Sequence, residues 1–204
     1  MNPVAFRTIQ IDGLSIFYRE AGAKDAETLL LLHGLPSSSR MFEPLFARLS
    51  DRYHLIAPDY PGFGHSDWPD PKQFAYTFDH YADIVNRFTE TLGLSRYTLY
   101  MQDYGGPVGF RMTLAHPERV EALIVQDAVA HNEGLGENWK TRRAFWADQC
   151  GLSALAMRDF AARGEISKRL ALVGRDILNG VPLTDIPLMR QIAKRSALAY
   201  FMRS

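Results

Sequence analysis

An aspartate stands where a strand-like run leads directly into a helix. In the stretch YTLYMQDYGG (residues 97–106), an apolar run is followed by Asp103 and two glycines. A sharp turn of this kind, here named the elbow (residues 102–106), turns its central side chain outward and needs small residues nearby. A desolvated carboxylate held there can attack an electrophilic carbon and form an ester. The elbow therefore predicts that Asp103 is a nucleophile. The alternative is that Asp103 caps the following helix.

A second loop is placed to supply hydrogen-bond donors to the same site. HGLPSSS (33–39) directly follows the apolar run TLLLL. The backbone N–H of Leu35 can then face that of Tyr104, and two such donors would form an oxyanion hole for charge developing on a carbonyl oxygen. We name residues 33–36 the HGLP loop. The other loop residues are expected to support its shape: His33, by hydrogen bonding rather than as a base, with Gly34 and Pro36.

The elements that must position these residues alternate between strand and helix. The apolar stretches around Asp12-Gly13 predict an antiparallel hairpin. Four later runs, TLLLLHG, YHLIAPD, YTLYMQD and VEALIVQD, predict strands buried on both faces. The pattern indicates an α/β fold with a doubly wound, mostly parallel sheet. The four runs end on polar residues that should share one edge of the sheet, where ligands bind in such folds: His33, Asp59, Asp103 and Asp127.

Helical patterns occur between the strands and dominate the last third of the chain. Residues 78–92 carry an apolar stripe at spacings of three and four, and Gly93 is a natural stop. After residue 131 no further strand-like run occurs. We therefore predict an α/β core over residues 1–131 and a helical domain over residues 132–204.

Composition narrows the class of protein. Lys plus Arg and Asp plus Glu each number 23, so no charge excess points to nucleic acid or an anionic membrane. No apolar run approaches the roughly 20 residues of a membrane span, and no secretory signal begins the chain. One cysteine, Cys150, suits a reducing cytoplasm, and the singly scattered histidines show no metal-ligand spacing.

Four motifs in sequence order, HGLP, APDYPGFGHSDWP, MQDYGGPVGF and HPERV, resemble the α/β-hydrolase fold superfamily. The aspartate at the elbow resembles the branch of haloalkane dehalogenases and epoxide hydrolases. The resemblance covers residues 6 to about 130 and implies that the helical stretch 132–204 is a cap. It implies that Asp103 attacks an sp³ carbon of a small apolar substrate, without a metal or an organic cofactor. A histidine-activated water then hydrolyses the ester at the oxyanion hole, and Asp127 orients that histidine.

The sequence departs from this branch at several positions. Leu35 and Tyr104 stand where dehalogenases carry N–H side chains that hold the halide, so halide and epoxide substrates both stay open. Met101 stands where a small residue is usual and predicts a looser elbow. Three aromatic residues in the cap are candidate donors: Trp139, Trp146 and Tyr200.

The resemblance also implies strands and a catalytic histidine beyond the cap, which these 204 residues do not contain. His116 and His131 fit the catalytic role poorly, and Ser66 in GHSDW lacks the elbow that a serine nucleophile needs. An uncovered sheet edge predicts self-association. Two hypotheses follow: an aspartate-nucleophile hydrolase, or a catalytically incomplete relative that binds a ligand or partner.

Overall fold

The computed structural model of the chain describes residues 2–130 and Gly136. Its strands are β1 (Ala5–Ile11), β2 (Leu14–Ala21), β3 (Thr28–Leu32), β4 (His54–Pro58), β5 (Tyr97–Gln102) and β6 (Val120–Gln126). Its α-helices are α1 (Glu43–Leu49), α2 (Phe78–Thr91) and α3 (Gly105–Ala115). Short 3₁₀ turns span Ser39–Phe42 and Pro117–Arg119. The predictions for His131, Trp139, Trp146, Cys150 and Tyr200 lie outside the described residues.

The predicted hairpin and parallel sheet are both present. Strands β1 and β2 pair antiparallel around Asp12 and Gly13, which both have positive φ. The six strands run in the order β1-β2-β4-β3-β5-β6, and β4, β3, β5 and β6 are mutually parallel. Every residue of β3 and β4 is buried, as a strand covered on both faces requires. The α/β fold with a mostly parallel sheet that the sequence predicts is therefore confirmed in these six strands.

Helix α2 follows the predicted apolar stripe, and its Phe78, Tyr81, Val85 and Phe88 are buried. Gly93, with φ of 72°, follows the end of the helix. Helix α1 was not predicted. Its Phe46 packs with the preceding Phe42 among leucines of β3 and β4, so tertiary burial holds a seven-residue helix too short to be stable alone.

The chain divides into two compact units, residues 1–69 with 78–130 and residues 70–77 with 131–204. The first contains all the helices and strands given above. In the described part of the second, Phe74 and Tyr76 pack edge to face, with ring centroids 4.7 Å apart. The predicted division into a core over 1–131 and a cap over 132–204 stays a prediction, because residues 131–135 and 137–204 lie outside the described part.

Strand β6 is the last strand of the described sheet and is exposed along most of its length. Leu123, Ile124 and Val125 are 41%, 43% and 47% exposed. Self-association through this edge stays a prediction. Among residues 2–130, no helix is long and apolar enough to cross a membrane.

Candidate active site

Asp103 lies in a left-handed backbone conformation at the end of β5, with φ of 49°. This conformation costs a residue with a Cβ about 1–2 kcal/mol. The N-cap residue of α3 is Tyr104, and no side-chain hydrogen bond caps it. Asp103 therefore lies one residue before the N-cap position that the helix-cap alternative requires.

The elbow is tight, contrary to the expectation that Met101 loosens it. A Cβ at Gly105 would overlap the backbone carbonyl of Leu32, so α3 starts directly against β3. The side chain of Met101 is fully buried and fills the space that a Cβ at Gly109 would need. A glycine one turn into the helix thus accommodates the large residue, and the elbow keeps its close approach.

The HGLP loop contacts the elbow at Asp103 itself. The backbone N–H of Leu35 donates to Asp103 Oδ1 at 2.8 Å. A Cβ at Gly34 would overlap Asp103 Cβ and lie 2.7 Å from Asp103 Oδ1. The Leu35–Pro36 peptide bond is cis. The loop therefore brings a backbone donor to the carboxylate only because residue 34 has no side chain.

His33 joins the HGLP loop to the loop after β4. Its Nδ1 is 3.1 Å from the carbonyl oxygen of Gly34, and its Nε2 accepts from the backbone N–H of Tyr60 at 3.3 Å. A carbonyl oxygen only accepts, so Nδ1 carries the proton and the ring is neutral. Complete burial lowers the pKa of His33, although the negative charge of Asp59 opposes the shift.

Asp59 holds the loop after β4 rather than facing a substrate. Its Oδ1 accepts from the backbone N–H of Ser39 at 2.6 Å, and its Oδ2 accepts from that of His65 at 2.9 Å. Its side chain is buried, and a Cβ at Gly64 would overlap its carboxylate. Ser66, the alternative nucleophile, donates to the carbonyl oxygen of Asp59 at 2.7 Å and accepts from Phe17 N–H at 2.9 Å. Both residues are built into the loop structure.

Asp127 is the counterpart of Asp103 on the neighbouring strand. Gln102 and Gln126 are register partners of parallel strands, and each is followed by an aspartate with positive φ. The φ of Asp127 is 47°, and its side chain is exposed. The two carboxylates therefore leave adjacent strands at the same edge with the same backbone conformation.

Tyr104 follows Asp103, and its buried ring packs edge to face on Phe78 with centroids 5.0 Å apart. This contact anchors the N-cap residue of the helix, whose N–H is the second predicted oxyanion donor. A further aromatic residue that was not predicted, Tyr60, has its ring against that of His33, with centroids 4.3 Å apart.

The described histidines are spread over both ends of the sheet. His54 begins β4 and His116 precedes β6, so both lie at the edge opposite Asp103. His54 is bonded there to Glu20 Oε1 at 2.9 Å. His65 packs on Phe17 and lines an open groove on the outer side of the hairpin. Within residues 2–130 and 136, no group of three or more metal-binding side chains comes together.

The parallel sheet and the acid at its strand-to-helix elbow are typical of the α/β-hydrolase fold, and comparison with known families agrees. A family model described as the α/β-hydrolase fold matches residues 27–151, more than half of the chain. The chain therefore belongs to the α/β-hydrolase fold family. A second model, described as the Y4lR C-terminal helical domain, matches residues 117–201.

Named relatives carry this comparison further. An uncharacterized hydrolase of Saccharomyces cerevisiae is 40% identical over 143 residues, which cover 69% of this chain and 49% of the relative. A haloalkane dehalogenase of Bradyrhizobium diazoefficiens is 31% identical over 162 residues, 79% of this chain and 51% of the relative. A cis-3-alkyl-4-alkyloxetan-2-one decarboxylase of Xanthomonas campestris is 35% identical over 124 residues, 58% of this chain and 41% of the relative. The chain spans about half the length of these relatives.

Solved structures show the same likeness. The haloalkane dehalogenase DbeA of Bradyrhizobium elkani matches with a TM-score of 0.74 at 24% identity, over 98% of this chain and 68% of that one. The structure named DBJA matches with a TM-score of 0.73 at 26% identity, over 98% and 69%. The resemblance to haloalkane dehalogenase-like members of the superfamily is thereby confirmed.

Proposed function

We propose that this chain carries the ester-forming half of an aspartate-nucleophile hydrolase that acts on small apolar substrates. The observation that carries the proposal is the placement of Asp103, at φ of 49° on the elbow with its Oδ1 bonded to the Leu35 N–H. A helix N-terminus and a backbone donor both favour the ionised carboxylate, which is the form that attacks.

In the first step a carboxylate oxygen of Asp103 attacks an sp³ carbon. A carbon–oxygen bond forms, the bond to the leaving group breaks, and the leaving atom departs with the electron pair. Alignment of the two reacting atoms is the main contribution of the protein, because a carboxylate is a weak nucleophile in water. The overlap that any Cβ at Gly34 would cause shows how closely the surrounding chain fixes this carboxylate.

In the second step water attacks Cγ of the resulting ester. The carbonyl oxygen becomes an oxyanion, the bond from Cγ to the alkyl oxygen breaks, and the alcohol leaves. The N–H groups of Leu35 and Tyr104 are proposed to stabilise that oxyanion, and each such donor contributes about 3–4 kcal/mol in other hydrolases. Asp127 is proposed to orient the base that takes the proton of the water. His33 is proposed to hold the loop, and no described histidine is assigned as the base.

The leaving group is open between a halide and an oxygen. Leu35 offers no side-chain donor for a halide, whereas relatives are named as haloalkane dehalogenases and as an oxetanone decarboxylase. One solved structure that shares the fold is titled a putative epoxide hydrolase. The substrate panel therefore needs an alkyl halide, an epoxide and a β-lactone of the same chain length.

The test is to incubate the protein with each probe and measure adducts by intact mass and peptide mapping. We expect an adduct on the peptide that contains Asp103, which accumulates if no base completes the site and is transient otherwise. Asp103→Asn should abolish it. Asparagine also tolerates positive φ, so this variant is expected to keep the fold.

Asp12 provides a matched control, because it is also an aspartate with positive φ, at 51°, and lies on the exposed hairpin turn. An adduct on Asp12 as well as Asp103 would indicate unspecific alkylation. A folded protein that forms no adduct at Asp103 with any probe contradicts the nucleophile assignment. The alternative, a catalytically incomplete protein that binds a small apolar ligand, then becomes the better account.

A further inference from the structure

Tyr60 occupies the centre of a buried aromatic cluster behind the HGLP loop. Its ring centroid is 4.3 Å from that of His33, 5.9 Å from Phe63 and 5.3 Å from Tyr81. Its side chain is 1% exposed, and its backbone N–H is the donor to His33 Nε2. Tyr60 is thus fixed by packing and by its backbone, neither of which needs a hydroxyl group.

The hydroxyl of Tyr60 is buried and has no hydrogen-bond partner in the part of the chain that the structure describes. Tyr81, in the same cluster, donates its hydroxyl to the carbonyl oxygen of Pro61 at 3.1 Å. A buried unsatisfied hydroxyl destabilises the fold, and phenylalanine would fill the same space without that cost. The hydroxyl therefore calls for an explanation other than packing.

Asp103 is close to this cluster through the HGLP loop. The ring of His33, which the Tyr60 ring contacts in a tilted arrangement, belongs to the residue before Gly34, and Gly34 is pressed against the Asp103 side chain. Two consecutive contacts therefore separate the Tyr60 ring from the carboxylate. The low dielectric of this buried region strengthens the interaction between a hydroxyl dipole and a carboxylate charge.

We propose that Tyr60 is a positioning residue of the site, whose buried hydroxyl stabilises the ionised carboxylate of Asp103 and so extends its reactivity to lower pH. The inference rests on the proposed function in one respect, because it takes Asp103 to be the nucleophile. Burial, and secondly the charge of Asp103, raises the pKa of Tyr60 well above its usual range. The hydroxyl therefore stays protonated and acts on the carboxylate as a neutral dipole.

Other charged and titratable groups around the cluster have partners or positions that set them apart. His33, after β3, is neutral and uses both ring nitrogens. Asp59, after β4, accepts two backbone N–H groups. Tyr81, from α2, is bonded to Pro61, and Asp127, after β6, is exposed. Tyr60 is the group of this set whose hydroxyl has no described partner.

The experiment is a ¹³C NMR titration of the Asp103 carboxyl carbon in protein labelled at aspartate. The signal is assigned by its loss in Asp103→Asn. In Tyr60→Phe we expect the titration midpoint to rise by about 0.5–1 pH unit, a roughly 3- to 10-fold weaker acid. The fold should tolerate this variant, because only an unsatisfied oxygen is removed.

Tyr97→Phe is the matched control. Tyr97 is also fully buried but begins β5, so the strand separates it from Asp103 by roughly 20 Å. Tyr97→Phe should leave the midpoint of the Asp103 titration unchanged. A second measurement follows the rate of Asp103 alkylation against pH. The rate falls at acid pH as the carboxylate is protonated, and in Tyr60→Phe the midpoint of this fall should rise by the same amount.

The outcomes separate the two claims. Equal midpoints and equal acid limbs in wild type and Tyr60→Phe overturn the role of Tyr60 and leave the nucleophile in place. A shift of the same size in Tyr97→Phe also overturns it, since the effect would then be unspecific. A wild-type protein that is never alkylated overturns the proposed function, and the NMR midpoints still decide whether Tyr60 acts on Asp103.

Discussion

Asp59 and Asp103 are both aspartates that end parallel strands at the same edge of the sheet, yet they are held in opposite ways. Asp59 is buried and both its carboxylate oxygens accept backbone N–H groups of neighbouring loops. Asp103 is partly exposed, has φ of 49°, and meets the N–H of Leu35. One acid holds loops in place, and the other is held by them.

The difference shows that an acid at the end of a strand does not by itself indicate chemistry. What separates the two residues is backbone conformation and the destination of the surrounding N–H groups. Glycines mark both places, Gly64 against Asp59 and Gly34 against Asp103. Glycine thus allows a loop to pack on the carboxylate of Asp59 in one place, and allows a backbone donor to reach the carboxylate of Asp103 in the other.

Replacement of each aspartate by asparagine should give the largest difference in effect between the two residues. Asp103→Asn is expected to lower ester formation by on the order of 10⁴-fold or more, with little loss of stability. Asp59→Asn should instead lower the free energy of unfolding by about 3 kcal/mol, because an amide NH₂ would face a backbone N–H. Adduct mass spectrometry and urea unfolding measure the two effects. A large stability loss in Asp103→Asn would contradict the distinction between a structural Asp59 and a reactive Asp103.

The paired glycines sharpen the same contrast. Gly34→Ala places a Cβ against Asp103 and should displace the carboxylate from Leu35, lowering the alkylation rate by about 100-fold. Gly64→Ala, at φ of 50° and against Asp59, should mainly lower stability, by about 2 kcal/mol or more.

Gly93→Ala is the control for backbone strain alone, since φ is 72° and no atom lies within 4 Å of an added Cβ. It should cost about 1 kcal/mol and leave the alkylation rate unchanged. Equal rates in Gly34→Ala and wild type would show that the Gly34 contact does not fix the nucleophile.

A pH titration tests the histidine that links the two loops. Burial lowers the pKa of His33 in the fold, so the native state binds fewer protons than the unfolded chain. The contribution is fully present above the unfolded pKa of about 6.5 and is lost as the pH falls below it. Between about pH 7.5 and 5.5 the free energy of unfolding should therefore fall, with a slope of at most about 1.4 kcal/mol per pH unit, the limit for one proton. Thermal or urea unfolding of wild type should show this slope.

In His33→Gln the protein should be less stable at every pH but show a smaller change between the two pH values. An undiminished slope in that variant would assign the acid sensitivity to other groups. Because His33 contacts both the HGLP loop and the loop of Asp59, the alkylation rate should fall with stability in the same pH range.

Asp127→Asn should have the smallest effect. Its φ of 47° suits asparagine, and its side chain is exposed, so stability should change by no more than about 0.5 kcal/mol. Adduct formation at Asp103 should be unchanged, and only hydrolysis of the adduct should slow if Asp127 orients a base. A slower first step would contradict the division of roles between the two adjacent aspartates.

Much of the fold could be predicted because its signals are local. The Asp12-Gly13 turn, the four apolar runs and the stripe of α2 each determine an element within a few residues. Helix α1 could not be predicted this way, since burial of Phe42 and Phe46 among β3 and β4 residues holds it. The prediction of a looser elbow was wrong, because the missing side chain of Gly109, one turn into the helix, leaves room for Met101.

The site was predicted unevenly for the same reason. Asp103, Leu35 and Gly34 could be singled out because the elbow and the HGLP loop are continuous stretches of sequence. The separate fate of Asp59 could not, since it depends on donors from Ser39 and His65, 20 and 6 residues away. Tyr60 could not be singled out, because an unsatisfied hydroxyl is a property of the packed structure alone.

The left-handed backbone at the elbow also limits how this protein can change over evolution. In the described chain the non-glycine residues with positive φ are Asp12, Asp103 and Asp127, all aspartates. Asparagine is the neighbouring residue type that accepts this conformation at low cost. A single substitution at position 103 would therefore abolish the proposed reaction while preserving the architecture. A lineage could in this way exchange catalysis for binding without passing through an unfolded intermediate.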